Sequence, residues 1–184
     1  IIYNPAPQKT EEYETFLRLI KERQIPVWPG RTGEVINLDE KSRLRILWPK
    51  SAEVDTVADK SFDLNERSLV LLFEYGNFKA LLTGDAESEV QDQLLADVLP
   101  VTVIKVPHQG AANGLNLDFL AKINPELAVI SVGKNPFGHP VSSVLGAYSA
   151  KGIKLLRTDE CGTVEITSDG VNWRYNSDRP CQGD

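Results

Sequence analysis

The sequence predicts an α/β fold, on three observations. Apolar runs of strand length alternate with helical periodicity three times in the second half of the chain. Before them, the dipeptide Gly76-Asn77 separates two apolar runs, which is the signature of a tight β-hairpin. Three of the strand candidates end on short polar segments set among glycine and proline. Apolar strands followed by helices imply a sheet with helices against at least one face.

Taken in order, Tyr13, Phe16, Leu17 and Ile20 fall at i, i+3, i+4 and i+7, predicting an amphipathic helix over 10–23 with Thr10 as N-cap. Ile25 to Trp28 and Glu34 to Leu38 are short strand candidates, with turns at Pro29-Gly30 and Arg31-Thr32-Gly33. Arg43 to Trp48 alternates as a further strand, and Pro49 stops it. Residues 50–66 are polar and nearly aperiodic and read as a surface loop. Ser68 to Glu74 and Phe78 to Thr83 are the strands of the hairpin. A helix from about Ala86 to Ala96 follows, then the strand Val101 to Val106. Leu117 to Ile123 is a short helix stopped by Asn124-Pro125. The strand Leu127 to Val132, a helix over 142–150 and the strand Ile153 to Arg157 complete the alternation. A last hairpin pairs Gly162 to Thr167 with Val171 to Tyr175 and turns at Ser168-Asp169-Gly170. No sequence repeat divides the chain, and residues 1–184 are expected to form one domain.

Composition narrows the function classes. With 41% hydrophobic and 25% charged residues the chain has the balance of a soluble globular protein. No apolar stretch approaches the roughly 20 residues of a membrane-spanning helix, and Ile1-Ile2-Tyr3-Asn4-Pro5 does not read as a signal peptide. With no methionine, the chain is expected to be a processed, excised or incomplete piece of something larger. A net charge of −6 argues against a protein whose main task is gripping nucleic-acid backbone. It leaves open a hydrolase acting on phosphodiesters, where bound metal cations would supply local positive charge. Cys161 and Cys181 are either two unrelated thiols or a disulfide tying the tail to the last hairpin. If that turn centres on Asp169, Cys161 lies opposite Ser177, four residues short of Cys181.

Candidate chemistry sits at the strand ends, where loops of an α/β sheet converge side chains on one cleft. Asp85, His108 and His139 each follow a buried-strand candidate, and these two histidines are the only ones in the chain. Histidine is the commonest metal ligand and titrates near neutrality. Asp159-Glu160 reads as a solvated turn rather than a paired carboxylate. Lys105 and Lys134 flank the expected cleft as surface lysines, and Trp28, Trp48 and Trp173 read as packing residues rather than base-stacking platforms.

The order of these motifs carries a resemblance. Between Asn65 and Gly170 the chain reads Ser68-Leu69-Val70-Leu71-Leu72, Leu81-Leu82-Thr83-Gly84-Asp85-Ala86-Glu87 and Lys105-Val106-Pro107-His108-Gln109-Gly110. It continues with Ala128-Val129-Ile130-Ser131-Val132-Gly133, Gly138-His139-Pro140 and Arg157-Thr158-Asp159-Glu160. This resembles the C-terminal part of the metallo-β-lactamase-like domain of ComEC-type competence DNA-uptake proteins. The resemblance implies a four-layer αββα sandwich, represented mainly by its C-terminal half. It implies metal ligation by Asp85, bridging two ions, and by His108 at the second ion; the metal would be Zn²⁺ or Mn²⁺. His139 and Gln109 would be the catalytic residues beside them, His139 contacting phosphate or donating a proton to the leaving group. Gln109 stands where the family has a second histidine, so it can hydrogen-bond substrate but cannot shuttle a proton near neutrality.

The family's His-x-His-x-Asp-His metal motif is not in this chain, and Asp85 with His108 falls short of the three or four ligands each ion needs. The chain alone is therefore expected to bind metal poorly. The implied activity is metal-dependent hydrolysis of a phosphodiester, with DNA as a transient substrate during competence uptake. The implied setting is a parent membrane channel, with this domain at the extracytoplasmic face. Two alternatives stand beside it: a non-catalytic binding or assembly module of the same fold, and a small-substrate esterase.

Overall fold

A computed structural model describes residues 1–4, 10–50 and 64–181. Most of the 50–66 loop reading falls on 51–63, outside the described residues; Asn65–Arg67 form one 3₁₀ turn. The first helix, α1 (Glu11–Glu22), begins where predicted: the Thr10 hydroxyl accepts from Tyr13 N–H at 3.2 Å, and Glu11, Glu12 and Glu14 complement the helix dipole. None of its residues is buried, and its apolar stripe meets the rest of the chain through Phe16, whose ring lies edge-on to Tyr3 of β1 (Ile2–Tyr3). The strand expected over Ile25 to Trp28 is reduced to β2 (Trp28–Pro29), which pairs in parallel with β1. Trp28 is half exposed and gives its indole N–H to Glu34, so its reading as a packing residue is corrected.

The main sheet has seven strands in sequence order: β3 (Val35–Asn37), β4 (Ser42–Trp48), β5 (Val70–Tyr75), β6 (Phe78–Leu82), β7 (Val103–Lys105), β8 (Leu127–Ile130) and β9 (Lys154–Arg157). The first four are antiparallel, β5 and β6 being the hairpin predicted at Gly76-Asn77. From β6 onward the strands are parallel, each step crossing over through a helix: α2 (Ser88–Leu94), α3 (Leu117–Ile123) and α4 (Ser142–Ala150). Parallel neighbours need such crossovers, which is why the alternation was readable. All three helices lie on one face. Val90, Leu94, Phe119, Ile123, Val144 and Tyr148 pack there against Val70, Leu81, Ile104 and Ile130. Each large side chain so buried contributes roughly 1.5–3 kcal/mol.

The other face is covered in part by the hairpin β10 (Val164–Ser168) and β11 (Trp173–Ser177), whose Val164, Ile166, Trp173 and Tyr175 pack on Phe78, Val103, Leu127 and Leu156. The chain is thus a mixed α/β fold with a helix layer, a seven-stranded sheet and a two-stranded start of a second β layer. Beside the hairpin the sheet keeps an open apolar groove of about 460 Å³, lined by Leu38, Leu44, Phe73, Leu82 and Val129.

The last hairpin is shifted from its predicted register. Asp169 Oδ1 accepts from the N–H groups of Val171 and Asn172, so the loop runs from Asp169 to Asn172 rather than closing at Gly170. Val164 therefore pairs with Ser177, and Arg179 N–H reaches Cys161 O at 3.2 Å. This brings Cys161, on the one-turn helix α5 (Thr158–Cys161), beside Cys181 without a fold-back of the tail, and the two are joined in a disulfide with Cα atoms 4.7 Å apart. Both cysteines are buried in the core beneath the hairpin.

The cross-link spans 20 residues, and in the chain-entropy model such a loop adds about 3 kcal/mol. Replacing both cysteines by alanine is expected to lower the unfolding free energy by that much, and the unsubstituted chain, denatured without reductant, should titrate no free thiol. Two free thiols per molecule would refute the bridge.

Candidate active site

Asp85, His108 and His139 follow β6, β7 and β8, and all three lie beyond the carboxyl ends of parallel strands, on one edge of the sheet. The first loop is fixed by Thr83, whose buried hydroxyl donates to Lys105 O at 2.7 Å, and by Ser68, whose Oγ accepts the Asp85 N–H at 3.0 Å. Gly84 then offers its carbonyl outward. It accepts from Lys105 Nζ at 2.8 Å and from His108 N–H at 3.3 Å, tying the first loop to the second.

The second loop is a 3₁₀ turn, Pro107–Gly110, in which His108 (φ 47°) and Gln109 (φ 53°) both adopt left-handed backbone. Two consecutive non-glycine residues in that region are costly, of order 1–3 kcal/mol each, and such strain gathers at functional sites. The side chains of His108 and Gln109 are both half-buried in this turn. The third loop closes on the second: Val141 N–H donates to Gly110 O at 3.0 Å, and Pro140 packs on the Gly110 Cα. The imidazoles of His108 and His139 consequently stand 5.8 Å apart, centroid to centroid.

Two residues complete the site that sequence reading did not single out in these roles. Glu87 begins α2 as its N-cap, yet its side chain makes no cap hydrogen bond. Instead it accepts from Asn65 Nδ2 at 2.9 Å and lies 3.2 Å from His108 Nδ1, an ion-pair distance off the line of an N–H···O bond. A glutamate two residues after Asp85 looks like an ordinary helix start, which hid it. Lys105 is the other. It is not the surface lysine expected: it is largely buried, and its Nζ sits 3.9 Å from Asp85 Oδ1. Burial pushes the ammonium below the ordinary lysine range, and the Asp85 carboxylate partly offsets this. Asp159 and Glu160 belong to α5 rather than to a solvated turn, and both bind the Arg157 guanidinium, at 2.7 and 2.8 Å.

No protein-family model matches the chain. Among curated proteins it is 31% identical over 156 residues to ComE operon protein 3 of Bacillus subtilis, covering 83% of this chain and 19% of that protein. It is 34% identical over 111 residues to Competence protein ComA of Neisseria gonorrhoeae, covering 58% of the chain and 16% of the relative. With Recombination protein 2 of Haemophilus influenzae it shares 36% over 83 residues, 44% of the chain and 10% of the relative. The chain is a relative of the ComEC-type competence proteins. The chain spans about a fifth of the length of those relatives, or less. Among solved structures it is similar to one assigned as a metal-dependent hydrolase of Parabacteroides distasonis (TM-score 0.48, 9% identity, 82% of this chain and 62% of that one). It is also similar to the E377D mutant of CmlA β-hydroxylase (TM-score 0.45, 12% identity, 71% and 32%).

The donor set does not make a complete metal centre. Among the described residues no group of three or more His, Cys, Asp or Glu side chains is placed to hold an ion. Asp85 faces an ammonium, and His139 Nδ1 is buried without a hydrogen-bond partner among the described residues. Micromolar zinc is therefore expected to leave the melting temperature of the chain unchanged, since stabilisation follows RT ln(1 + [L]/Kd) and two ligands alone give a poor Kd. A rise of many degrees in a thermal scan would show a fuller ligand set. Gly110 provides the second test: a Cβ there would lie 2.6 Å from Pro140 Cβ, at φ +82°. Gly110→Ala should cost about 2–4 kcal/mol from strain and overpacking and abolish the ring-to-ring NOE between His108 and His139. An unchanged midpoint would contradict the close approach.

Proposed function

We propose that this chain is the part of a metal-dependent phosphodiesterase domain that contributes Asp85 and His108 to the metal centre, with DNA as substrate during competence uptake. The observation that carries the reading is the convergence of Asp85, His108 and His139 on one sheet edge, with the two imidazoles 5.8 Å apart. Because the donors present do not complete a centre, the remaining ligands must come from outside the described residues. What this chain brings besides ligands is orientation. In this reading His139 would hydrogen-bond a phosphoryl oxygen or protonate a leaving oxygen, and Gln109 would donate to the substrate without titrating.

The setting follows the same reading. The names of two relatives, a competence protein and a recombination protein, support a role with DNA. The Cys161–Cys181 disulfide supports an extracytoplasmic location, because cytosolic thiols are kept reduced. No helix among the described residues is long and apolar enough to cross a membrane, so attachment to a membrane channel would be through other parts of a parent protein.

A second reading has its own observation. The Lys105 ammonium beside Asp85 neutralises the carboxylate without any metal, as in a binding or assembly module that kept the fold and lost the centre. Grafting separates the two. This chain replaces the 156 residues it matches in ComE operon protein 3, and transformation by added DNA is counted. Asp85→Asn or His108→Ala in the graft is expected to lower the count at least about a hundredfold, beyond what loss of an outer partner of a metal costs. Full transformation with Asp85→Asn would reject the hydrolase and leave the assembly module.

A further inference from the structure

Phe137 is the most exposed large apolar side chain among the described residues, at 75%. A lone exposed phenylalanine is ordinary on a protein surface. Three features set this one apart. Its ring is stacked with His139, with centroids 5.9 Å apart and planes inclined by 20°, and His139 in turn stands beside His108. Its loop is held from within: Asn135 Oδ1 accepts the N–H groups of Phe137 and His139, each at 3.1 Å. Asn135 Nδ2 donates to the carbonyls of Gly133 and His139, at 2.9 and 2.8 Å. The loop is also held from without, by Val141 N–H on Gly110 O. Four hydrogen bonds from one side chain thus keep an apolar ring facing water at the lip of the candidate site.

We infer that Phe137 is a stacking ledge for one nucleobase of single-stranded DNA, setting the phosphodiester next to that base against His139. The inference rests on the reading of the site as one that acts on DNA. It also addresses a difficulty of that reading. A chain of net charge −6 gains little from counterion release along a phosphate backbone. Stacking on an aromatic face needs no basic surface and tolerates any base, since every base has a π-face. The exposed Lys134 on the same loop supplies one cation for a neighbouring phosphate.

The test uses the full chain and two probes, a ten-residue oligothymidylate and an abasic oligonucleotide of the same length, titrated at low salt. The imidazole NMR signals report binding, since His108 and His139 are the only two histidines. The oligothymidylate is expected to bind about tenfold more tightly than the abasic strand, within the ~5- to 150-fold that stacking one base supplies. Phe137→Ala should abolish that preference at unchanged melting temperature, and Phe137→Trp should restore it. Equal binding of the two strands by the unsubstituted chain, or a preference that survives Phe137→Ala, overturns the ledge and leaves the DNA reading standing. No shift with either strand at millimolar concentration overturns the ledge and counts against DNA as the substrate; graft transformation tests the hydrolase separately.

Discussion

The carbonyl oxygen of Gly84 receives two donors from the neighbouring strand, the Lys105 ammonium and the His108 amide, and the site is arranged around that meeting. The ammonium reaches it only because Lys105 is largely buried at the end of β7, and the amide only because Pro107 to Gly110 winds into a left-handed turn. Through that turn the constraint passes to Gly110, then to Pro140 and Val141, and so to His139. Three loops from three parallel strands are therefore coupled by contacts that involve no ligand. Coupling of this kind holds the loops in place before any ligand arrives, at the cost of strained backbone at His108 and Gln109.

Much of the fold was legible because its signals are local. The helices Leu117–Ile123 and Ser142–Ala150 match their predicted bounds; the first is capped by Asn116, which accepts from Phe119 N–H, and ends on Asn124 in left-handed conformation. The helix expected from Ala86 begins two residues later because Glu87 is extended (ψ 179°) and its carboxylate serves Asn65 and His108 instead of the helix. The register of the last hairpin escaped reading for a similar reason: an Asp169 side chain bonding to two backbone amides lengthens the loop, and no periodicity reveals it. At the site, the scarcity of histidine exposed His108 and His139, whereas Glu87 and Lys105 took their roles from contacts between loops distant in sequence.

Both carboxylates at the site have polar partners. Asp85 is met by Lys105, and Glu87 by the Asn65 amide and the His108 ring, so neither carboxylate faces the strand ends alone. Pairing of this sort makes the arrangement tolerable without a cation, and it leaves Glu87 beside the His108 ring.

The bond between Cys161 and Cys181 makes the last hairpin a closed covalent ring, and at its far end the bend exposes Asp169, Val171 and Asn172 while Gly170 is buried against the β5–β6 turn. Bends of that kind are where proteases nick folded chains. A cut there would sever the backbone and yet release nothing, because both ends remain fastened at the cysteines beneath the sheet. The two strands would stay paired, the core they cover would stay sealed, and the nick would become visible as two fragments only after a reductant opened the ring.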